Sequence, residues 1–222
     1  MIKMSFVGDI SLGEYYLTFG HGPRSLMESG TNIFSDVSEL FIGSDLVFGN
    51  LEGVISDVDY NPDSPHSRVF RGPPQAVDQL KAAGFNILNI ANNHCVQQGA
   101  EAIRDSVRIL EGAGITVVGL REKPITHIST NEGPIAVIAC SLIPDNTDNE
   151  QQIYFAPSEQ ELIDTTRKAS LDGTFTIVYL HWGKESTTEA TPAQRQLAKA
   201  LQNAGARMII GHHTHSLQPV IV

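Results

Sequence analysis

Three histidines fall within four positions near the end of the chain, in Gly211-His212-His213-Thr214-His215. They directly follow Met208-Ile209-Ile210, a short apolar run that reads as a buried strand. Neutral imidazole is the commonest side-chain ligand for metal ions. Two histidines one residue apart on a loop, His213 and His215, can turn toward one point while the strand before them fixes the backbone. The competing readings are a purification tag and a solvated cluster; the interruption by Thr214 and the preceding strand argue against the tag. One loop cannot complete a metal site, so further ligands must come from elsewhere in the chain.

The same event recurs at four earlier places, where a short apolar run ends and a potential ligand follows. Residues 2–7 lead to Gly8-Asp9, and residues 45–50 bring Asn50 and then Glu52. Residues 85–90 deliver Asn92-Asn93-His94, and residues 175–180 deliver His181. Asn50 and Glu52, two residues apart, point to the same side of an extended backbone. Taken singly, Asp9 reads equally as a turn former or helix cap, and His181 beside Trp182 as a packed histidine. Taken together, five strand ends at one sheet edge would gather carboxylates, an amide oxygen and imidazoles. That donor set suits a pair of borderline divalent ions such as Mn, Fe or Zn.

The elements that must position these groups alternate along the chain. Helical spacing is predicted over 33–41, 73–83, 99–113, 158–171 and 191–204, and further strands over 115–119 and 134–140, which together give an α/β fold with helices packed outside a sheet. Residues 11–30 are irregular and glycine-rich. Residues 56–74 read as one long loop carrying Arg68 and Arg71, candidate contacts for an anionic substrate, with solvated surface charge as the alternative. The chain has 222 residues, 41% hydrophobic and 18% charged, within the range of one large globular domain. A net charge of −10 argues against a nucleic-acid or anionic-membrane surface, so an anionic substrate needs a local cationic centre. No apolar stretch has the length of a signal peptide or membrane span, so a cytoplasmic protein is expected. Cys95 and Cys140 suggest no disulfide framework, and Cys140 reads as a buried thiol.

The ordered set Gly8-Asp9, Gly49-Asn50-Leu51-Glu52, Asn92-Asn93-His94, His181-Trp182-Gly183-Lys184-Glu185 and Gly211-His212-His213-Thr214-His215-Ser216-Leu217-Gln218-Pro219 resembles the CapA family of capsule and poly-γ-glutamate synthesis proteins, itself similar to the calcineurin-like metallophosphoesterases. The resemblance covers essentially the whole chain. It implies a single domain with a four-layer αββα sandwich and a two-metal site at the strand ends. By that resemblance Asp9 and His215 hold one ion, Asn93, His181 and His213 the other, and Glu52 bridges them. Asn50 competes for the bridging position, although a neutral amide is the poorer bridge. His94 would protonate the leaving group, and His212 would lie behind the ligands or at the rim. The implied function is hydrolysis of phosphoesters. The alternative is support of anionic-polymer synthesis or export by binding polymer or partner proteins, and a third reading is a degenerate, weakly metal-binding interaction module. Two positions depart from the pattern: Ser11 stands where the superfamily's Asp-x-His motif has histidine, and Gln97 where CapA-like sequences carry an aspartate. Gln218 to Val222 is expected to begin an edge strand.

Overall fold

The computed structural model describes residues 1–147 and 153–221. In chain order its strands are β1 (Met4–Ile10), β2 (Leu46–Leu51), β3 (Val54–Ile55), β4 (Arg71–Gly72), β5 (Ile87–Asn89), β6 (Thr116–Val118), β7 (Thr126–Ile128), β8 (Ile135–Ser141), β9 (Phe175–His181) and β10 (Ala206–His212). The α-helices are α1 (Pro23–Glu28), α2 (Pro65–Arg68), α3 (Ala76–Ala82), α4 (Ala100–Gly112), α5 (Glu159–Ala169) and α6 (Pro192–Asn203). Two four-stranded sheets form, in the orders β1-β2-β5-β6 and β10-β9-β8-β7, and all pairs are parallel except β7 with β8.

Period-two alternation decides which side chains hold the sheets together. From the first sheet Phe48, Ile87 and Val118, and from the second Ile135, Val137, Ala139, Ile177 and Tyr179, share one core between the two sheets. Phe6 stacks on Phe48 at 4.6 Å between ring centroids, and both rings approach Tyr179, at 6.3 and 6.0 Å. The opposite faces bind helices. Val47, Leu88 and Val117 pack with Ala76, Leu80, Ile103 and Leu110 of α3 and α4, while Ile138, Val178 and Leu180 pack with Leu162, Leu197 and Leu201 of α5 and α6. The result is an αββα sandwich. Helix starts follow their sequence signals: Ser158 accepts from the Glu161 amide, and Thr191 with Gln194 closes a capping box ahead of Pro192.

Several segments depart from the expectation. Residues 33–41 do not form an α-helix; the chain makes turns and a single 3-10 stretch, Ser38–Phe41, because Phe34 and Phe41 satisfy their apolar surface by packing on Phe85. The glycine-rich segment after β1 contains α1, and the supposed long loop contains α2 and β4. Asp9 lies inside β1 rather than beyond it, and His212 inside β10. Residues 218–221 form no strand, and Val222 lies outside the described residues. Among the described residues no helix is long and apolar enough to cross a membrane.

Arg68 and Arg71 are not surface charges. Both are buried, along with Arg24 and Glu14. Arg68 reaches Glu14 through Nε at 2.7 Å and Nη2 at 3.2 Å, and also bonds Tyr60, Ser25 and Glu28. Arg71 donates to the carbonyls of Val58 and Ser56 and to Gln98. These bonds tie the segment carrying α1 to the segment carrying α2 and β4. Burial alone would raise the Glu14 carboxyl, but bonds from Arg68, Ser25 and Gly20 outweigh it and hold the group at about 2. A depressed carboxyl stabilises the fold above its ordinary value of 4.5 and loses that contribution as pH falls through about 2. Glu14→Gln should therefore lower the unfolding free energy by about 3 kcal/mol at neutral pH. In urea unfolding the gap from the wild type should narrow as pH falls from 4.5 toward 2; a gap independent of pH would refute this assignment.

Candidate metal centre

The alternation that builds the inter-sheet core delivers, one step past its last apolar residue, a ring of polar side chains. On β2, Phe48 is followed on the same face by Asn50; on β5, Ile87 by Asn89; on β9, Tyr179 by His181; on β10, Ile210 by His212. β1 reaches the ring by an extra residue. Phe6 pairs with Phe48 and Asp9 with Asn50, so three steps on β1 oppose two on β2. This bulge turns the odd-numbered Asp9 to the face already used by Phe6. All these groups stand at the carboxyl ends of parallel strands, where open α/β sheets place their ligands.

Amides knit the ring together. Asn50 Nδ2 donates to Asp9 Oδ1 at 2.7 Å, and Asn50 Oδ1 accepts from Asn89 at 2.9 Å and Asn92 at 3.3 Å. The second oxygen of Asp9 accepts the His213 main-chain N–H at 2.9 Å. Asn50 is thus bonded on both sides of its amide. His212 also has both nitrogens engaged, Nδ1 donating to the Leu180 carbonyl and Nε2 lying 3.3 Å from Asn89 Nδ2. It sits under the ring against Tyr179, behind the other histidines.

In front of this layer the donor atoms converge. Glu52, His181 and His213 form one group whose ligand atoms lie within 4.8 Å of one another, and Asp9, Glu52 and His215 form another; the two share Glu52 alone. A third group joins Asp9 and His181 to His212. His181 Nε2 is 2.8 Å from Asn93 Oδ1 and 3.7 Å from Glu52, while His215 Nε2 is 3.7 Å from Asp9 and 3.8 Å from Glu52. The loop reaches this arrangement through left-handed backbone, with φ 91° at His213 and 50° at His215, conformations that non-glycine residues adopt at a cost. Among the described residues His213 Nδ1 is buried without a hydrogen-bond partner. A buried ring nitrogen left bare among carboxylates fits a metal ion, and these clusters could hold one.

Protonation suits the same role. Burial, reinforced by His212 and His213, pushes His181 far below its usual value; burial lowers His213 and brings His212 to about 4. All three imidazoles are neutral at pH 7, the form that ligates. Glu52 goes the other way. Burial, then the charges of Asp9 and Glu185, raises it to about 8.

His94 stands beside the cluster with a different set of contacts. Its Nδ1 is 2.6 Å from Gln97 Oε1, and its ring lies face-on against Phe70, with 3.5 Å between centroids. Arg68 and Arg71 flank Phe70 from within the protein and point their guanidinium groups into the bonds described above. The residues that sequence reading missed are Asn89, Asn92 and Phe70. Asn89 carried a usable signal, an amide inside a buried apolar run, where it demands a partner; Phe70 carried none.

Below pH 8 metal-free Glu52 holds a proton that an incoming cation must displace, whereas the neutral histidines release none. Calorimetric titration of Mn or Zn in buffers of different ionisation enthalpy should show about one proton released per chain near pH 7, declining above pH 8. Release that grows with pH would contradict the raised Glu52.

The pattern described as "Bacterial capsule synthesis protein PGA_cap" matches residues 3–222. The chain is similar to the PGA biosynthesis protein CapA of Bacillus subtilis (strain 168), with 27% identity covering 100% of this chain and 60% of that protein. It is similar also to the capsule biosynthesis protein CapA of Bacillus anthracis, with 29% identity covering 98% of this chain and 55% of that one. The chain therefore spans little more than half the length of these relatives. A match over nearly every residue, on the fold and polar ring just described, establishes that this chain belongs to the PGA_cap family of bacterial capsule synthesis proteins.

Proposed function

We propose that the chain is a phosphoester hydrolase with two divalent ions, Mn, Fe or Zn, at the sheet edge. The observation that carries this reading is the pair of ligand groups sharing Glu52 alone. Asp9 and His215 would hold one ion, His181, His213 and Asn93 the other, and Glu52 would serve both. Such ions, when bound, polarise a phosphoryl oxygen and favour ionisation of the attacking water. The protein's own part is to fix the donors, exclude water behind them and move one proton. Asn50 keeps Asp9 oriented and His212 backs His181. Because Nδ1–H faces the Gln97 carbonyl oxygen, the acid form of His94 is the imidazolium with its second proton on Nε2, a form that burial makes scarcer; it gives the Nε2 proton to the departing oxygen as the phosphorus–oxygen bond breaks and returns to the neutral ring. Ser11 offers the Asp9 and His215 ion no imidazole, which makes that site the weaker of the two. Arg68 and Arg71 brace the wall, and the ions meet the anion's charge.

The names of the two Bacillus relatives favour a second reading, in which the same site or its surroundings binds an anionic polymer such as poly-γ-glutamate without phosphoester cleavage. Elemental analysis and aryl phosphate hydrolysis separate the two. The hydrolase should contain about two ions per chain. Asp9→Asn and His213→Ala should each lose metal and lower kcat by about a hundredfold or more. Absence of metal and of hydrolysis after incubation with Mn or Zn, with polyglutamate binding that survives both substitutions, would replace the first reading by the second.

A further inference from the structure

The chain from Arg68 to Gly72 crosses the site wall as a strap fixed at every residue. The Arg68 carbonyl accepts from the Glu14 amide at 2.9 Å, and the Phe70 carbonyl accepts from the Val54 amide at 2.9 Å. The Val69 carbonyl accepts from Gln98 Nε2 at 2.7 Å, and Gln98 Oε1 accepts from Arg71 at 3.1 Å. Gln98 follows Gln97 on the loop that carries His94, so the strap and that loop are bolted together. Two glycines allow the close approach. A Cβ at Gly53 would lie 2.2 Å from the Phe70 carbonyl oxygen, and one at Gly13 would lie 2.5 Å from the Phe70 nitrogen.

Phe70 itself has φ 51°, in the left-handed region where a bulky side chain is rare. The surrounding bonds over-determine this conformation, and its outcome is specific: the phenyl ring lies 18° from the plane of the His94 imidazole at 3.5 Å, with Tyr15 packed edge-on behind it at 5.3 Å. Aromatic pairs left to themselves prefer offset or edge-to-face geometry with larger separation. The sequence thus maintains a backbone conformation that L-residues resist and spends two buried arginines in order to press one ring flat on another.

We infer that Phe70 is a positioning residue for His94, the strap holding its phenyl face against the imidazole so that the ring cannot tilt about its bond to Gln97. The contact stands on the geometry alone; its catalytic consequence rests on the hydrolase reading above. Constraint of this kind matters because proton transfer to a leaving oxygen depends on sub-ångström placement of the donor.

Phe70→Leu keeps apolar bulk and removes the ring, whereas Phe70→Tyr keeps the ring. In metal-free protein the His94 ring-proton resonances, identified by their loss in His94→Gln, should lie upfield in the wild type and in Phe70→Tyr. They should return to ordinary positions in Phe70→Leu; resonances unmoved in Phe70→Leu would overturn the contact. In the metal-loaded protein the rate ratio of 4-nitrophenyl to phenyl phosphate ester cleavage should rise about tenfold or more in Phe70→Leu, because the poorer leaving group needs the aligned proton donor, and fall back in Phe70→Tyr. Equal losses on both esters would mark Phe70 as structural only and overturn the positioning role. If the wild type cleaves neither ester, the hydrolase reading fails, and the resonances still decide the contact.

Discussion

The carboxylate of Asp9 is the joint on which the two sheets meet at the site. One oxygen accepts from Asn50 on the first sheet, and the other accepts the main-chain N–H of His213 at the exit of the second. Each bond is charge-assisted and about twice as strong as a neutral one, and both are shielded by the surrounding protein. Removing the carboxylate would free the His loop from its strained φ values and leave Asn50 with an unpaired N–H in a buried setting. The core beneath has no need of this bond, because Phe6, Phe48 and Tyr179 already hold the sheets face to face. What Asp9 adds is registry: it fixes where the last residues of one sheet stand relative to those of the other.

That registry is maintained against electrostatics. Asp9 and Glu52 crowd into a space from which water is largely excluded, with Glu185 adding to the negative potential and His181, His212 and His213 neutral. Among the described residues no guanidinium pairs with them. The buried arginines are bonded to Glu14, Glu28, Asp57 and main-chain carbonyls in the wall. In an acidic protein with these arginines committed to the wall, protons or metal can neutralise the carboxylates. The raised Glu52 is the proton solution, and the bare His213 nitrogen marks where that solution is incomplete.

Much of this was legible in the sequence because the ring is an extension of the core pattern. A run such as Thr176 to Leu180 declares a buried strand, and the polar residue that follows must lie where strands end, so His181, Asn93 and the His213-Thr214-His215 loop could be found by inspection. The αββα layering followed from helix and strand alternation together with the resemblance. Three things were hidden for definable reasons. The bulge in β1 reverses side-chain parity without any compositional mark, so Asp9, although a candidate ligand, read as lying past the strand rather than within it. The burial of Arg68 and Arg71 was hidden because their partners are remote in sequence: Glu14 lies 54 residues from Arg68, and Gln98 lies 27 residues from Arg71. Residues 33–41 imitate helical spacing, but their phenylalanines are satisfied by contacts with Phe85 that no local window contains.

The wall shows why burying charge can be worth its desolvation here. A buried ion pair stabilises a fold weakly at best compared with apolar packing, and its better-attested use is to fix one arrangement among several. Arg68 and Glu14 link chain segments on either side of β2, while Arg71 anchors the next residue but two along the same strap; between them Phe70 has no freedom to leave its left-handed conformation. An apolar substitute for the pair could pack as well but would permit the strap to slide, since van der Waals contact is indifferent to small translations and a forked guanidinium–carboxylate bond is not. The network therefore converts the cost of buried charge into the placement of the Phe70 ring against the His94 imidazole, beside the His, Asp and Glu cluster that Asp9 helps to fix. The site is fixed from two directions by two kinds of polar bond, while the apolar core beneath supplies cohesion without choosing the register.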